Sequence, residues 1–294
     1  MKFQALLVFA LPCLLLNTTV QADDFFQNAD RVVLLGNTLI EREQEYGHWE
    51  TLLTQGAPEK KLTFRNLGWS ADTVWAESRG MFDPPAKGYQ RMLELILELK
   101  PTVIVLGYGN VEAFDGAERL PAFEQQYRKL LADLKPLNAR YVFLSPVKME
   151  FATFPRQTPE AKKFVADYNA MIDVYSNAIQ SLADQHGGKF VDLALPDQDW
   201  TENSIHLDAA GYEKSGRILA SALGLPETEI TPEIQSLIQK KNKLFFHRWR
   251  PQNFTYLFGF RKHEQGQNAK EIAEFDPLVA ELEAKIHELA SKAK

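Results

Sequence analysis

For thiol or imidazole chemistry this sequence offers one cysteine and six histidines. Cys13 lies inside an N-terminal apolar run that is expected to be removed, so neither thiol catalysis nor a disulfide is expected in the remaining chain. His48 stands beside Trp49 in a helical stretch and reads as a packed or surface histidine. His186 precedes Gly187-Gly188 and reads as a helix C-terminal residue favoured by the helix dipole. His263-Glu264-Gln265-Gly266 lacks the second histidine of a zinc helix, and no histidine–carboxylate pair has metal-ligand spacing, so no metal is expected. Gly107-Tyr108-Gly109 lacks the third glycine of a dinucleotide fingerprint, and no cofactor is expected. None of these residues defines a site alone, so the loops that present side chains come next.

Those loops are set by an alternation of strands and helices. Short apolar runs at Arg31–Leu35, Lys61–Leu67, Thr102–Leu106, Arg140–Leu144 and Phe190–Leu193 predict five buried strands. Helices are predicted over Leu39–Leu53, Tyr89–Leu99, Pro121–Leu134, Pro159–His186 and Ala209–Leu223, the last capped by Asp208. This βαβ rhythm of apolar strands predicts a parallel sheet covered on both faces. In such sheets the reactive groups lie on loops after the carboxyl ends of the strands. Here those loops start at Gly36, Gly68, Gly107 and Leu144, with a further one before His206.

Four blocks on these loops are similar to the SGNH, or GDSL-type, hydrolase family. Gly36-Asn37-Thr38 stands where the family has Gly-Asp-Ser. Asn66-Leu67-Gly68-Trp69-Ser70-Ala71-Asp72-Thr73 stands where it has an Asn-x-Gly-x-Ser-Gly-Asp-Thr-like loop. Gly107-Tyr108-Gly109-Asn110-Val111-Glu112 lies near its Gly-x-Asn. Asn203-Ser204-Ile205-His206-Leu207, followed by Ala210-Gly211-Tyr212, stands where it has Asp-x-x-His and a similar helix start. The resemblance spans roughly residues 31–223 and implies a three-layer αβα sandwich with a parallel, flavodoxin-like sheet.

The resemblance also implies roles. Thr38 takes the place of the serine that attacks an ester carbonyl, His206 that of the base, and Asn203 that of the aspartate orienting it. Ala71 and Asn110 take the oxyanion-stabilising positions, with Asn110 one residue before the family's asparagine site, which is Val111 here. Gly68 and Trp69 are expected to contact substrate, and so, from the basic C-terminal segment outside the resemblance, are Arg250 and Arg261. Threonine keeps the hydroxyl but adds a methyl that stiffens and hinders it. Asparagine carries no charge to stabilise an imidazolium, and aspartate-to-asparagine in a serine triad costs about 10⁴ in rate. Glu202, one residue away, is an alternative partner for the ring. Two readings follow: an ester hydrolase using Thr38, or a catalytically inactive descendant that binds a glycan or another protein in the old cleft. The expected substrate is a small-molecule or glycan ester. Trp69 and Trp75 flank the second block and suit either stacking on a sugar ring or core and lid packing.

The ends of the chain differ from its middle. Lys2, the apolar run Phe3–Leu16 and Val20-Gln21-Ala22 predict a secretory signal peptide cut after Ala22, hence an exported protein. The run has 14 residues, too few to span a bilayer, which needs about 20, so no stable membrane insertion is expected after cleavage. The expected divisions are a signal peptide at 1–22, a hydrolase-like domain at 23–226 and a C-terminal helical extension at 227–294. Residues 235–270 hold eight Lys/Arg, one acid and seven aromatics. This segment suits either a strap supplying cations to an anionic substrate or an element docked on the sheet domain through aromatics and ion pairs. A final amphipathic helix is expected over Pro277–Ala290. A formal charge of −6 argues against nucleic acid as a partner.

Overall fold

Five apolar runs pair into one parallel sheet in the computed structural model, which describes residues 25–195 and 200–292. They are β1 (Arg31–Gly36), β2 (Thr63–Asn66), β3 (Val103–Gly107), β4 (Arg140–Leu144) and β5 (Lys189–Val191). Their order is β2-β1-β3-β4-β5. The chain builds outward from β1 to β2 on one side, then crosses to β3 on the other. The carboxyl ends of β1 and β3 therefore flank a topological switch point, where ligands bind in open α/β sheets. In register, Gly36 lies opposite Gly107, so the loops after β1 and β3 leave the sheet at the same height.

Among the described residues ten α-helices accompany the sheet: α1 (Thr38–Tyr46), α2 (His48–Gly56), α3 (Pro85–Leu99), α4 (Leu120–Leu134), α5 (Pro159–Gln185), α6 (Ala209–Ala222), α7 (Pro232–Trp249), α8 (Phe254–Leu257), α9 (Lys262–Gln265) and α10 (Phe275–Lys292). Alternate strand residues serve opposite faces. Val33, Leu35, Ile104 and Leu106 pack with Met92, Tyr127 and Tyr175 of α3, α4 and α5. Val32, Leu34, Val103 and Val105 pack with Trp49, Leu52 and Tyr212 of α2 and α6. This is the expected three-layer sandwich with a flavodoxin-like strand order, plus C-terminal helices. The single helix expected over Leu39–Leu53 is instead two, because Gly47 takes a left-handed φ of 67°. The Glu43 carboxylate then accepts from the Trp49 backbone N–H at 2.6 Å and closes the break.

The C-terminal helices are bonded to the sandwich. Helix α7 turns Ile234, Ile238 and Phe245 into the interior, and Ile234 and Ile238 pack with Ile286 and Ala290 of α10. Lys241, wholly buried on that stripe, places Nζ 2.5 Å from Glu50 Oε1 and also donates to the Phe64 carbonyl. Gln235 and Gln239 donate to the Tyr46 carbonyl at the end of α1. From α10, Glu283 pairs with Arg65 of β2. The predicted signal peptide at 1–22, with Cys13 and the cleavage point after Ala22, lies outside the described residues. Among the described residues, no helix is long and apolar enough to cross a membrane.

Candidate active site

The first loop turns directly into a helix. A Cβ at Gly36 would stand 2.2 Å from the Gly107 carbonyl oxygen, so only glycine lets β1 and β3 approach this closely at their ends. Asn37 caps α1, its side-chain oxygen accepting from Leu39 N at 3.0 Å. Thr38 is thereby the first residue of α1, with its hydroxyl at the positive end of the helix. Thr38 Oγ1 accepts the Ala71 backbone N–H at 2.8 Å. The oxyanion donor named from sequence thus touches the candidate nucleophile directly. Ala71 reaches this position at φ 54°, a left-handed conformation costing a Cβ-bearing residue about 1–2 kcal/mol.

The second loop is clamped against α1. Asn66 Nδ2 donates to the Ile40 carbonyl, and its Oδ1 accepts from Gly68 N at 2.8 Å. A Cβ at Gly68 would lie 2.1 Å from Glu41 N. Gly68 therefore serves close packing here. Buried Arg79 holds the loop from beneath: Nε meets Asp72 Oδ2 at 2.6 Å, and Nη2 donates to the Leu67 carbonyl at 2.7 Å and the Gly36 carbonyl at 3.4 Å. Burial pushes the Asp72 carboxyl up, while Arg79 pulls it down.

In the third loop Asn110 lines the same cavity as Thr38, but its Nδ2 donates to the Val147 carbonyl at 2.8 Å. Glu112 joins the second and third loops, accepting from Val74 N at 2.8 Å and Gly109 N at 2.9 Å. It is buried, and burial pushes its carboxyl up to about 7 despite those two donors. Sequence reasoning missed Asp72, Arg79 and Glu112 as site-building residues.

The fourth block is held by an isolated antiparallel bridge between Thr201 and Leu207. Asp208 caps α6 as expected, accepting from Gly211 N at 2.8 Å. Asn203 Oδ1 accepts the His206 backbone N–H at 3.1 Å, and Asn203 Nδ2 lies 3.2 Å from the ring Nδ1. An amide that accepts through its oxygen turns its N–H toward Nδ1. That arrangement favours the ring tautomer with the proton on Nε2. Burial and then Arg42 hold the His206 pKa down, against the opposite pull of Glu202. Glu202 does not take the ring: its Oε1 is held by Arg42 at 2.7 Å and by the Tyr46 hydroxyl at 2.7 Å.

Thr38, Asn110 and His206 line one cavity of about 50 Å³, with Val111, Phe114 and Tyr212 on its walls. Trp69, Arg250 and Arg261 do not line it. Trp69 is half-buried, with the Arg250 guanidinium 3.5 Å from its ring centroid and Trp249 edge-on at 5.8 Å. Trp75 lies under Arg119, 4.6 Å from the ring. Arg250 pairs with Glu41, and Arg261 with Glu264 and Tyr256 inside the extension. His48 is buried, with Nδ1 3.2 Å from Gln235 Nε2, and His186 is the C-terminal cap of α5. Among the described residues, no group of three or more His, Cys, Asp or Glu is placed to hold a metal.

A doubly wound α/β protein with a hydroxyl at a helix N-terminus and a histidine across the switch point has the frame of an acyl hydrolase. Residues 34–214 match the GDSL-like Lipase/Acylhydrolase family, and the chain belongs to that family. Solved structures agree on the fold. A catalytic mutant of an acetylxylan esterase from Geobacillus stearothermophilus is 15% identical over 69% of this chain and 99% of its own, with a TM-score of 0.52. An α/β hydrolase from the metagenome of Lake Arreo, Spain, is 18% identical over 70% and 100%, at 0.53. A protein described as a GDSL-like lipase from Parabacteroides merdae is 15% identical over 68% and 98%, at 0.55. No curated protein is significantly similar in sequence.

Proposed function

We propose that this chain is an exported hydrolase of small acyl esters, with Thr38 as nucleophile and His206 as base, acting on an acyl or acetyl ester of a carbohydrate. The observation that carries the reading is the shared cavity of Thr38 and His206, with the Ala71 N–H already on the Thr38 oxygen. Its volume suits an acyl group of a few atoms. The esterase among the structural neighbours supports the carbohydrate class, and the predicted signal peptide supports export.

In this reading Thr38 Oγ1 adds to the ester carbonyl while its proton passes to His206 Nε2. Ala71 N–H and the α1 terminus stabilise the charge that develops. His206 then gives that proton to the departing alcohol, leaving an acyl-threonine. Water, deprotonated by His206, releases the acid and restores Thr38. The step requires a bare Nε2, so Asn203 must turn its oxygen to an Nδ1–H and give up the bond to His206 N. One such bond is worth about 1 kcal/mol. That is roughly fivefold in rate, and the amide also brings no charge to stabilise the imidazolium, so turnover is slow.

The Asn203 geometry favours a second reading, in which His206 presents Nε2–H as a fixed donor and the cavity binds an acylated glycan without cleaving it. Hydrolysis of p-nitrophenyl acetate and of acetylated polysaccharides, measured beside Thr38→Ala, separates the two. Turnover that disappears with Thr38 supports the hydrolase. Turnover that survives removes Thr38 as nucleophile. No turnover in either protein leaves the binding reading, to be pursued on a glycan array.

A further inference from the structure

We propose that a cleft of about 570 Å³ between the C-terminal helices and the second loop is a separate binding site for a small aromatic carboxylate. Its volume lies within the range of small-molecule sites, roughly 300–1,000 Å³. Arg79, Arg91, Arg248 and Arg250 all line it, and no aspartate or glutamate does. Their carboxylate partners are Asp72, Asp83, Asp276, Glu98 and Glu41, all of them outside the lining. The charged groups that line the cleft are thus all cationic, although each arginine is paired outside it.

The remaining surface sets the body of the ligand. Trp69, Phe246, Trp249, Phe254 and Phe258 supply aromatic walls, and Met92, Leu95 and Ile272 supply aliphatic ones. Guanidinium N–H groups donate only. A ligand group that meets the arginines must accept, and a flat apolar body must fill the rest. A carboxylate on one or two fused aromatic rings meets both conditions, since arginine binds carboxylates through two parallel donors. Thr38 and His206 take no part in this lining. The site is therefore independent of whether Thr38 turns over an ester.

The test is calorimetric titration of the purified chain with naphthalene-2-carboxylate and, as the uncharged counterpart, naphthalene-2-methanol. The carboxylate is expected to bind about tenfold or more tightly than the alcohol. Gln252 lines the cleft and is exposed, so Gln252→Glu adds a negative charge without disturbing the core. It is expected to weaken carboxylate binding severalfold and leave the alcohol unchanged. No carboxylate binding at millimolar concentration would overturn the proposal. Equal affinity for the alcohol, or indifference to Gln252→Glu, would overturn it as well.

Discussion

Asn203 faces His206 at two points, the backbone N–H at 3.1 Å and the ring Nδ1 at 3.2 Å. A carboxylate in that place accepts at both. An amide accepts at one and donates at the other. The single change from acid to amide therefore decides which ring nitrogen carries the proton.

Asn203→Asp is accordingly expected to raise ester turnover. With two acceptors the ring takes its proton on Nδ1 and bares Nε2 toward the cavity. A gain of about 10²-fold or more in kcat/KM for p-nitrophenyl acetate is expected, bounded by the ~10⁴ that the reverse change costs in a serine triad. Activity should then fall as His206 is protonated on the acid side. No gain in a folded Asn203→Asp protein would show that Thr38 or Ala71 limits the site instead.

The Glu112 carboxyl carries a pH signature in stability. Its folded pKa is about 7 against an ordinary 4.5, so between those values the folded state binds more protons than the unfolded one. Stability from this group is then fully present below pH 4.5 and is lost as pH rises through 7. The full swing is on the order of 3 kcal/mol. Urea unfolding between pH 5 and 8, compared with Glu112→Gln, should show the excess slope only in the parent.

Lys241 and Glu50 predict a different asymmetry. Lys241→Met leaves a buried carboxylate without its cation and should cost about 3–5 kcal/mol. Replacing both with apolar residues, Lys241→Met with Glu50→Leu, should recover most of that loss. A single variant as stable as the parent in denaturant titration would contradict the buried pairing.

Removing residues from Glu227 onward should unfold the sandwich. It strips the cation from Glu50, the partner from Arg65 and the two glutamine donors from the end of α1. A shortened chain that keeps a cooperative thermal transition by circular dichroism would show the sheet domain to be self-sufficient.

The central strands β1 and β3 were legible because each is an apolar run buried on both faces, a pattern with few alternatives. The helix break at Gly47 was not, since Leu39, Ile40, Tyr46, Trp49, Leu52 and Leu53 keep helical spacing across it. The site's hydroxyl and histidine were found on loops named from the sequence. Its supports were not: Asp72 and Glu112 stood within the second and third blocks with no role attached, Arg79 lay outside them, and only the fold shows all three buried. Glu112 stood between Val111 and Ala113-Phe114, a signal that could have marked it. Lys241 read as one cation in a basic run, although Ile234, Ile238, Lys241 and Phe245 recur at spacings of four, three and four. That stripe placed it on the apolar face. The choice between strap and docked element turned on that face: the extension's Lys241, Arg248 and Arg250 pair with Glu50, Glu98 and Glu41 of the sandwich.

The reach of the Lys241 pair, 191 residues along the chain, also orders events in time. Contacts of long sequence separation form late, after much chain entropy has been given up. During synthesis α2 and β2 are complete long before residue 241 leaves the ribosome. Until then Glu50 has no cation and its surroundings stay open to water. Closure of the sandwich around Glu50 thus waits on a segment made 191 residues later.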